Sequence, residues 1–218
     1  MWTSRPEEPE FLVHPSVETY LKGWVHRPHP VFREVEQRAE AEGFPIVGPV
    51  VGRLLYQLTL LVKPRRIFEL GSGYGYSALW FVAALPEGAE IFLTDYDARN
   101  LADARRYLGQ LGRPVTIHAL EGDALAHFRE TPGPFDLVYA DIEKTRYPEV
   151  ADLAYEKLRP GGLLLADNLL WRGRVLPPEA QDEKTRGILA FTRRIFQEDR
   201  WVSTIIPIRD GVSVSVRR

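Results

Sequence analysis

With 218 residues, 44% of them hydrophobic, and a net charge of −2 with both signs interspersed, the chain can bury one large core and carries no basic arm or acidic tail. It has no cysteine, which excludes disulfides and thiolate chemistry. Its apolar stretches fall short of the ~20 residues of a membrane span, and its N-terminus lacks a basic start followed by an apolar run. A single soluble, cytoplasmic domain over 1–218 with no membrane contact is therefore expected.

Residues 1–63 read as a helical cap ahead of a core over 64–218. VFREVEQRAEAEGF has helix-forming composition and stops at Gly43, a C-cap residue. PIVGPVVGRLLYQLTLLV turns into an apolar helix that ends before Pro64. From residue 65 strands and helices alternate. RRIFEL is a strand, followed by a glycine loop and a helix through about Leu85. AEIFLTD, VTIHALEGD, FDLVYAD and GLLLAD are the next four strands, each of the first three followed by a helical stretch. That rhythm predicts a parallel sheet wrapped by right-handed crossovers. WVSTIIPI and VSVSVRR break it, because the few residues around Arg209–Asp210–Gly211 can join only antiparallel strands.

The glycine loop is Gly71-x-Gly73-x-Gly75, which is neither the G-x-G-x-x-G of dinucleotide sites nor a phosphate loop with GK[ST]. Alone it reads equally as a tight turn needing positive φ. The acids around it favour a ligand. Glu69, Asp95 and Asp123 end three successive strands, on the edge where open α/β sheets bind ligands, although each taken singly also reads as a helix cap. Asp95 is placed to accept ribose hydroxyls and Asp123 to meet an adenine edge. Glu69 would repel a pyrophosphate but suits an ammonium and a sulfonium, which points to S-adenosylmethionine (SAM).

Asp141 ends the fourth strand and Asp167–Asn168 the fifth, so two carboxylates and an amide share one rim. They are hard oxygen ligands suited to Mg²⁺, or else caps and turn residues. Lys144 lies three residues beyond Asp141. In a chain with 23 arginines and 5 lysines, a lysine here is either an ordinary surface residue or a group kept because it can give up a proton.

The order ELGSGYGYS, TDYD, GDA, YADIEKTRY, RPGGLLLADNLLWRGRV and IIPIRDG resembles the metal-dependent O-methyltransferases of the catechol and caffeoyl-CoA type, including small bacterial members, over about residues 30–218. The resemblance implies a Rossmann-like class I methyltransferase fold: a seven-stranded, mostly parallel sheet with a terminal antiparallel hairpin, helices on both faces and an N-terminal helical extension. It implies Asp141, Asp167 and Asn168 as Mg²⁺ ligands and Lys144 as general base, with Asp141 also near the sulfonium. Asp95 would hold the ribose and Asp123 and Ala124 the adenine. Glu69, Ser77 and the Val47 backbone would surround the methionine end, with Gly71 in the loop beside it. A homodimer is implied as well. The acceptor is a hydroxylated aromatic small molecule or, alternatively, 5-hydroxyuridine in tRNA, reached by Arg172, Arg174, Arg193, Arg194, Arg217, Arg218 and Trp171. A third reading is a SAM-binding module without catalysis. The loop from Leu169 to Gly187 and the N-terminal helices are expected to shape the acceptor pocket. Two departures bear on that pocket. Gly73 stands where the family often has a bulky aromatic, which leaves that wall missing. Ser203–Thr204 stand where the animal catechol enzymes have an acid.

Overall fold

The computed structural model describes residues 15–176, 182–197 and 199–218. Three helices come first: α1 (Pro15–Trp24), α2 (Val31–Glu42) and α3 (Gly48–Val62). Helix α2 stops at Gly43, whose left-handed φ of 64° lets its N–H bond back to the last turn, and α3 stops one residue before Pro64. The alternating part follows as β1 (Arg66–Leu70), α4 (Tyr76–Ala84), β2 (Glu90–Asp95), α5 (Ala98–Gln110), β3 (Thr116–Glu121), α6 (Ala124–Glu130), β4 (Phe135–Ala140), α7 (Tyr147–Lys157) and β5 (Leu158–Ala166). The chain ends with α8 (Glu183–Ile195), β6 (Trp201–Ile206) and β7 (Val212–Arg217).

The seven strands form one sheet in the order β3-β2-β1-β4-β5-β7-β6. The pairings behave as the strand spacing predicts: the five strands β3, β2, β1, β4 and β5 are parallel neighbours through four pairings, and β7 runs antiparallel to both β5 and β6. One boundary differs from expectation. The fifth strand, read as GLLLAD, begins earlier at Leu158, so that RPGG lies within β5, whose pairing with β4 shifts register between Phe135 and Leu137. Such an irregularity lets a strand carry residues that do not match the ladder.

Alternation along each strand divides the core into two layers. Ile67, Ile91, Leu93, Leu137, Tyr139 and Leu165 face α2, α3, α4 and α5, whereas Phe68, Leu70, Phe92, Val138, Ala140 and Leu164 face α6, α7 and α8. Strands covered on both faces read as nearly continuous apolar runs, as these do. Helix α4 has no polar face, and Tyr76 to Val82 are all buried between α3, α5 and the sheet. On the other face Phe68, Phe128 and Phe135 pack ring to ring at 0% exposure, each contributing about 1.5–3 kcal/mol by burial. No helix among the described residues is long and apolar enough to cross a membrane.

Strand order reverses between β1 and β4, because the chain moves outward through β2 and β3 and then returns. The crossovers on either side leave on opposite faces, so a crevice opens beyond the C-terminal ends of these two strands.

Candidate active site

A cavity of about 800 Å³ occupies that crevice, a size that accommodates a cofactor and a small second ligand. Val47, Gly71, Ser77, Asp95, Asp141, Asp167 and Asn168 all line it. Glu69 and Lys144 lie buried directly beneath the wall at 0% and 7% exposure. Asp123 and Ala124 begin α6 outside the cavity lining.

On the glycine-loop side, Gly71 needs both its positive φ of 82° and its missing side chain. A Cβ there would lie 3.0 Å from the carbonyl carbon of Asp141, so the loop and the end of β4 touch backbone to backbone. Asp95 ties this loop to the next helix. Its carboxylate accepts from Gly73 N at 3.1 Å, Asp97 N at 2.8 Å and Asn100 Nδ2 at 3.1 Å. Asn100, one of the two asparagines, thus orients a cavity acid; the sequence signal was its place one turn into α5. Asp123 accepts from Ala126 N at 2.8 Å as the α6 N-cap, from Tyr96 Oη at 2.9 Å, and from Arg146. The Arg146 guanidinium holds its carboxyl below the usual carboxylate range.

Glu69 points inward from β1. Ser77 Oγ donates to its Oε1, while Oε2 is buried without a hydrogen-bond partner. Burial pushes this carboxyl up to about 7, against the opposing bonds from Ser77 and Ser72. Glu69 thus meets the cavity through Ser77, which lines it and whose hydroxyl donates to the carboxylate.

The second acid group is a product of strand register. Ala140 of β4 pairs with Ala166 of β5, so Asp141 and Asp167 emerge side by side, with Asp167 N bonded to Ala140 O at 3.1 Å. Asn168 follows in a left-handed conformation, φ 63°, which asparagine tolerates better than most residues. Burial, and next the charge of Asp141, push the Asp167 carboxyl up to about 7. No group of three or more His, Cys, Asp or Glu side chains converges among the described residues; the set here is two carboxylates and an amide.

Lys144 lies on a 3₁₀ turn (Lys144–Arg146) rather than on a surface helix. Its Nζ donates to Asp141 Oδ1 at 2.8 Å and to Tyr147 Oη at 2.8 Å, and Tyr147 Oη in turn donates to Asp167 O at 2.9 Å. Tyr147, unremarked in the sequence, is fully buried and locks the lysine between the two metal-type acids. Its sequence signal was a tyrosine before a proline, three residues past Lys144. Gly187 of α8 packs on the same turn: a Cβ there would fall inside contact distance of Lys144 O and 2.9 Å from Thr145 Cα. Gly187→Ala should cost about 1–3 kcal/mol by overpacking and displace Lys144, which urea denaturation and activity measured together would show.

Three further residues complete the cavity. Phe44, between α2 and α3, stands 3.0 Å from where a Gly73 Cβ would be and packs on Tyr74 with ring centroids 4.2 Å apart. Both line the cavity, so the wall that Gly73 lacks is supplied by Phe44 from another element. Ser203 and Thr204 are absent from the lining, but Asp210 and Arg209 at the β6–β7 turn are present. That turn is laced to the segment after β5 by Leu169 N to Gly211 O at 2.9 Å and Leu170 N to Asp210 O at 2.8 Å. Read as a hairpin turn, RDG gave no sign that its side chains reach the site. Of the loop expected to shape the acceptor pocket, 177–181 lie outside the described residues, and Gly187 belongs to α8. Of the arginines considered for RNA, only Arg172 lines the cavity, and Arg194 pairs with Asp152 on α7.

A doubly wound sheet with a C-terminal antiparallel hairpin and acids around a glycine loop defines a nucleoside-cofactor transferase architecture. The family model for O-methyltransferases matches residues 31–218, and the chain belongs to that family. Among curated relatives it is similar to a catechol O-methyltransferase of Niastella koreensis, 28% identical over 179 residues that cover 78% of this chain and 81% of that one. A mouse catechol O-methyltransferase domain-containing protein 1 is 27% identical over 91% of this chain and 78% of its own length. Among solved structures, the Bacillus cereus O-methyltransferase in complex with SAH superposes with a TM-score of 0.83 at 25% identity, covering 93% of this chain and 97% of that one. TomG of Streptomyces achromogenes in complex with SAM gives 0.82 at 25% identity, covering 98% and 99%. The protein is an O-methyltransferase.

Proposed function

We propose that this enzyme moves the methyl group of SAM to one hydroxyl of a vicinal aromatic diol, with a divalent cation at Asp141, Asp167 and Asn168 and with Lys144 as the base. The observation that carries the reading is Lys144 Nζ, buried beneath the cavity wall and 2.8 Å from Oδ1 of Asp141, an acid that lines the same cavity as the cofactor-side residues. The residues fit a cation. Two carboxylates stand on one rim, one of them forced toward its neutral form by burial and next by the other's charge, and a hard divalent ion would satisfy both. Such an ion fixes and acidifies a chelating hydroxyl.

The chain's own residues do the rest. Asp95 accepts the ribose hydroxyls; Ser77, held by Glu69, and the Val47 backbone receive the methionine end beside Gly71; Asp123 and Ala124 lie toward the adenine. Phe44 and Tyr74 exclude water on the glycine-loop side. Bound SAM would supply the methyl group to the acceptor oxygen and leave as SAH, and Lys144 Nζ would take the phenolic proton. Methyl transfer from labelled SAM to catechol, with Mg²⁺ or with EDTA, and in parallel to tRNA carrying 5-hydroxyuridine, tests the reading. Metal-dependent product on the diol is expected. Product on tRNA alone would replace the acceptor, and undiminished turnover in EDTA would remove the metal.

A further inference from the structure

Two cations line the described cavity wall, Arg172 and Arg209, against Glu18, Asp95, Asp141, Asp167 and Asp210. Neither arginine joins any ion pair among the described residues, whereas Arg27, Arg38, Arg66, Arg146, Arg159 and Arg194 do. Both occupy left-handed backbone positions, φ 52° for Arg172 and 50° for Arg209, which cost a residue with a Cβ some strain. The strain is held by bonds around Asp210: Arg172 N donates to Asp210 Oδ1 at 2.5 Å, and Leu170 N to Asp210 O at 2.8 Å. Arg209 is fixed a second time, since its Nη1 donates to Ile46 O at 2.6 Å. Its guanidinium also fills the space beside Gly48, where a Cβ would lie 3.1 Å from Nη1. One face of a positioned guanidinium fork is thus spent on a carbonyl, and among the described residues no carboxylate lies within ion-pair distance of it, although its charge acts on Asp167 from further away.

From this juxtaposition we infer that Arg209 and Arg172 form an anion subsite, which makes the preferred acceptor an aromatic diol carrying a carboxylate. The inference rests on the diol reading above and adds the charge of the substrate. A guanidinium fork matches a planar carboxylate in geometry as well as charge. The two arginines belong to the segment after Asn168 and to the β6–β7 turn, on the metal-type side of the cavity. The cofactor has a carboxylate of its own, and Ile46 adjoins Val47, so the test must separate the two sources.

The experiment compares 3,4-dihydroxybenzoate with 4-methylcatechol as acceptors for the full-length enzyme with SAM and Mg²⁺, and measures SAH affinity by calorimetry. The wild-type protein should favour the acid in kcat/KM. Arg209→Gln and Arg172→Gln should each lower the acid-to-neutral ratio by roughly tenfold or more, mainly through KM. Arg209→Glu should reverse the preference and favour a catecholamine. SAH affinity should change by less than the acid-to-neutral ratio does. A loss of SAH affinity with an unchanged ratio would assign the arginines to the cofactor and overturn the inference, as would equal use of both catechols by the wild type. Transfer to neither catechol would remove the diol reading and this subsite with it, a result distinct from equal use of both.

Discussion

Lys144→Met should lower kcat for methyl transfer by about 10²–10⁴-fold, the range for losing a positioned base, with SAH affinity changed far less because Nζ meets the cofactor side only through Asp141. Methionine keeps the length of the side chain in a site only 7% exposed, so packing survives. What goes is the donor to Asp141 and Tyr147. Lys144→Arg separates the two roles of the ammonium. It keeps a cation beside Asp141 but cannot yield a proton near neutral pH, so it should be as slow as the methionine variant. Arginine at wild-type rate would leave Lys144 a purely electrostatic role.

Without divalent cation, stability should fall as pH rises from about 4 to 7. Glu69 and Asp167 both have folded-state values pushed up to about 7, above the ~4 of the unfolded chain. Each therefore binds its proton more tightly when folded. Their contribution is fully present below about pH 4 and is lost as pH rises through 7, with a slope of up to about 1.4 kcal/mol per pH unit for each group. On the proposed cation assignment, Mg²⁺ would bind the ionised rim and should offset the Asp167 part. At a hundred times its dissociation constant it adds about 2.7 kcal/mol, or roughly 5–10 °C in Tm for a chain of this size. Thermal melts with Mg²⁺ and with EDTA across this pH range check both signs. Asp167→Asn should abolish the Mg²⁺ shift and part of the slope. Glu69→Gln should remove its own part of the slope and leave the Mg²⁺ shift in place. A Tm indifferent to Mg²⁺ at pH 8 would contradict the cation assignment.

The sheet was legible because its strands are short apolar runs at crossover spacing and its last two runs are too close together to be parallel. Lys144 and Asn168 were legible because this composition makes their residue types rare. Phe44, Tyr147, Arg209 and Asp210 were not, since each reaches the cavity from an element whose local pattern says only turn or helix start. The missing aromatic at Gly73 shows the same limit: the space is filled by a ring 29 positions away in the chain.

By itself the sequence determined the run of parallel strands closed by an antiparallel pair, the acids at their ends and the place of a lysine three residues beyond one of them, because these follow from local periodicity and residue chemistry. Only the tertiary structure decided that Ser77 donates to Glu69, that Lys144 is buried and locked by Tyr147, and that two arginines with no ion pair among the described residues line the cavity. Those facts depend on which distant side chains share a volume, and burial and hydrogen-bond partners are set by packing across elements rather than along the chain.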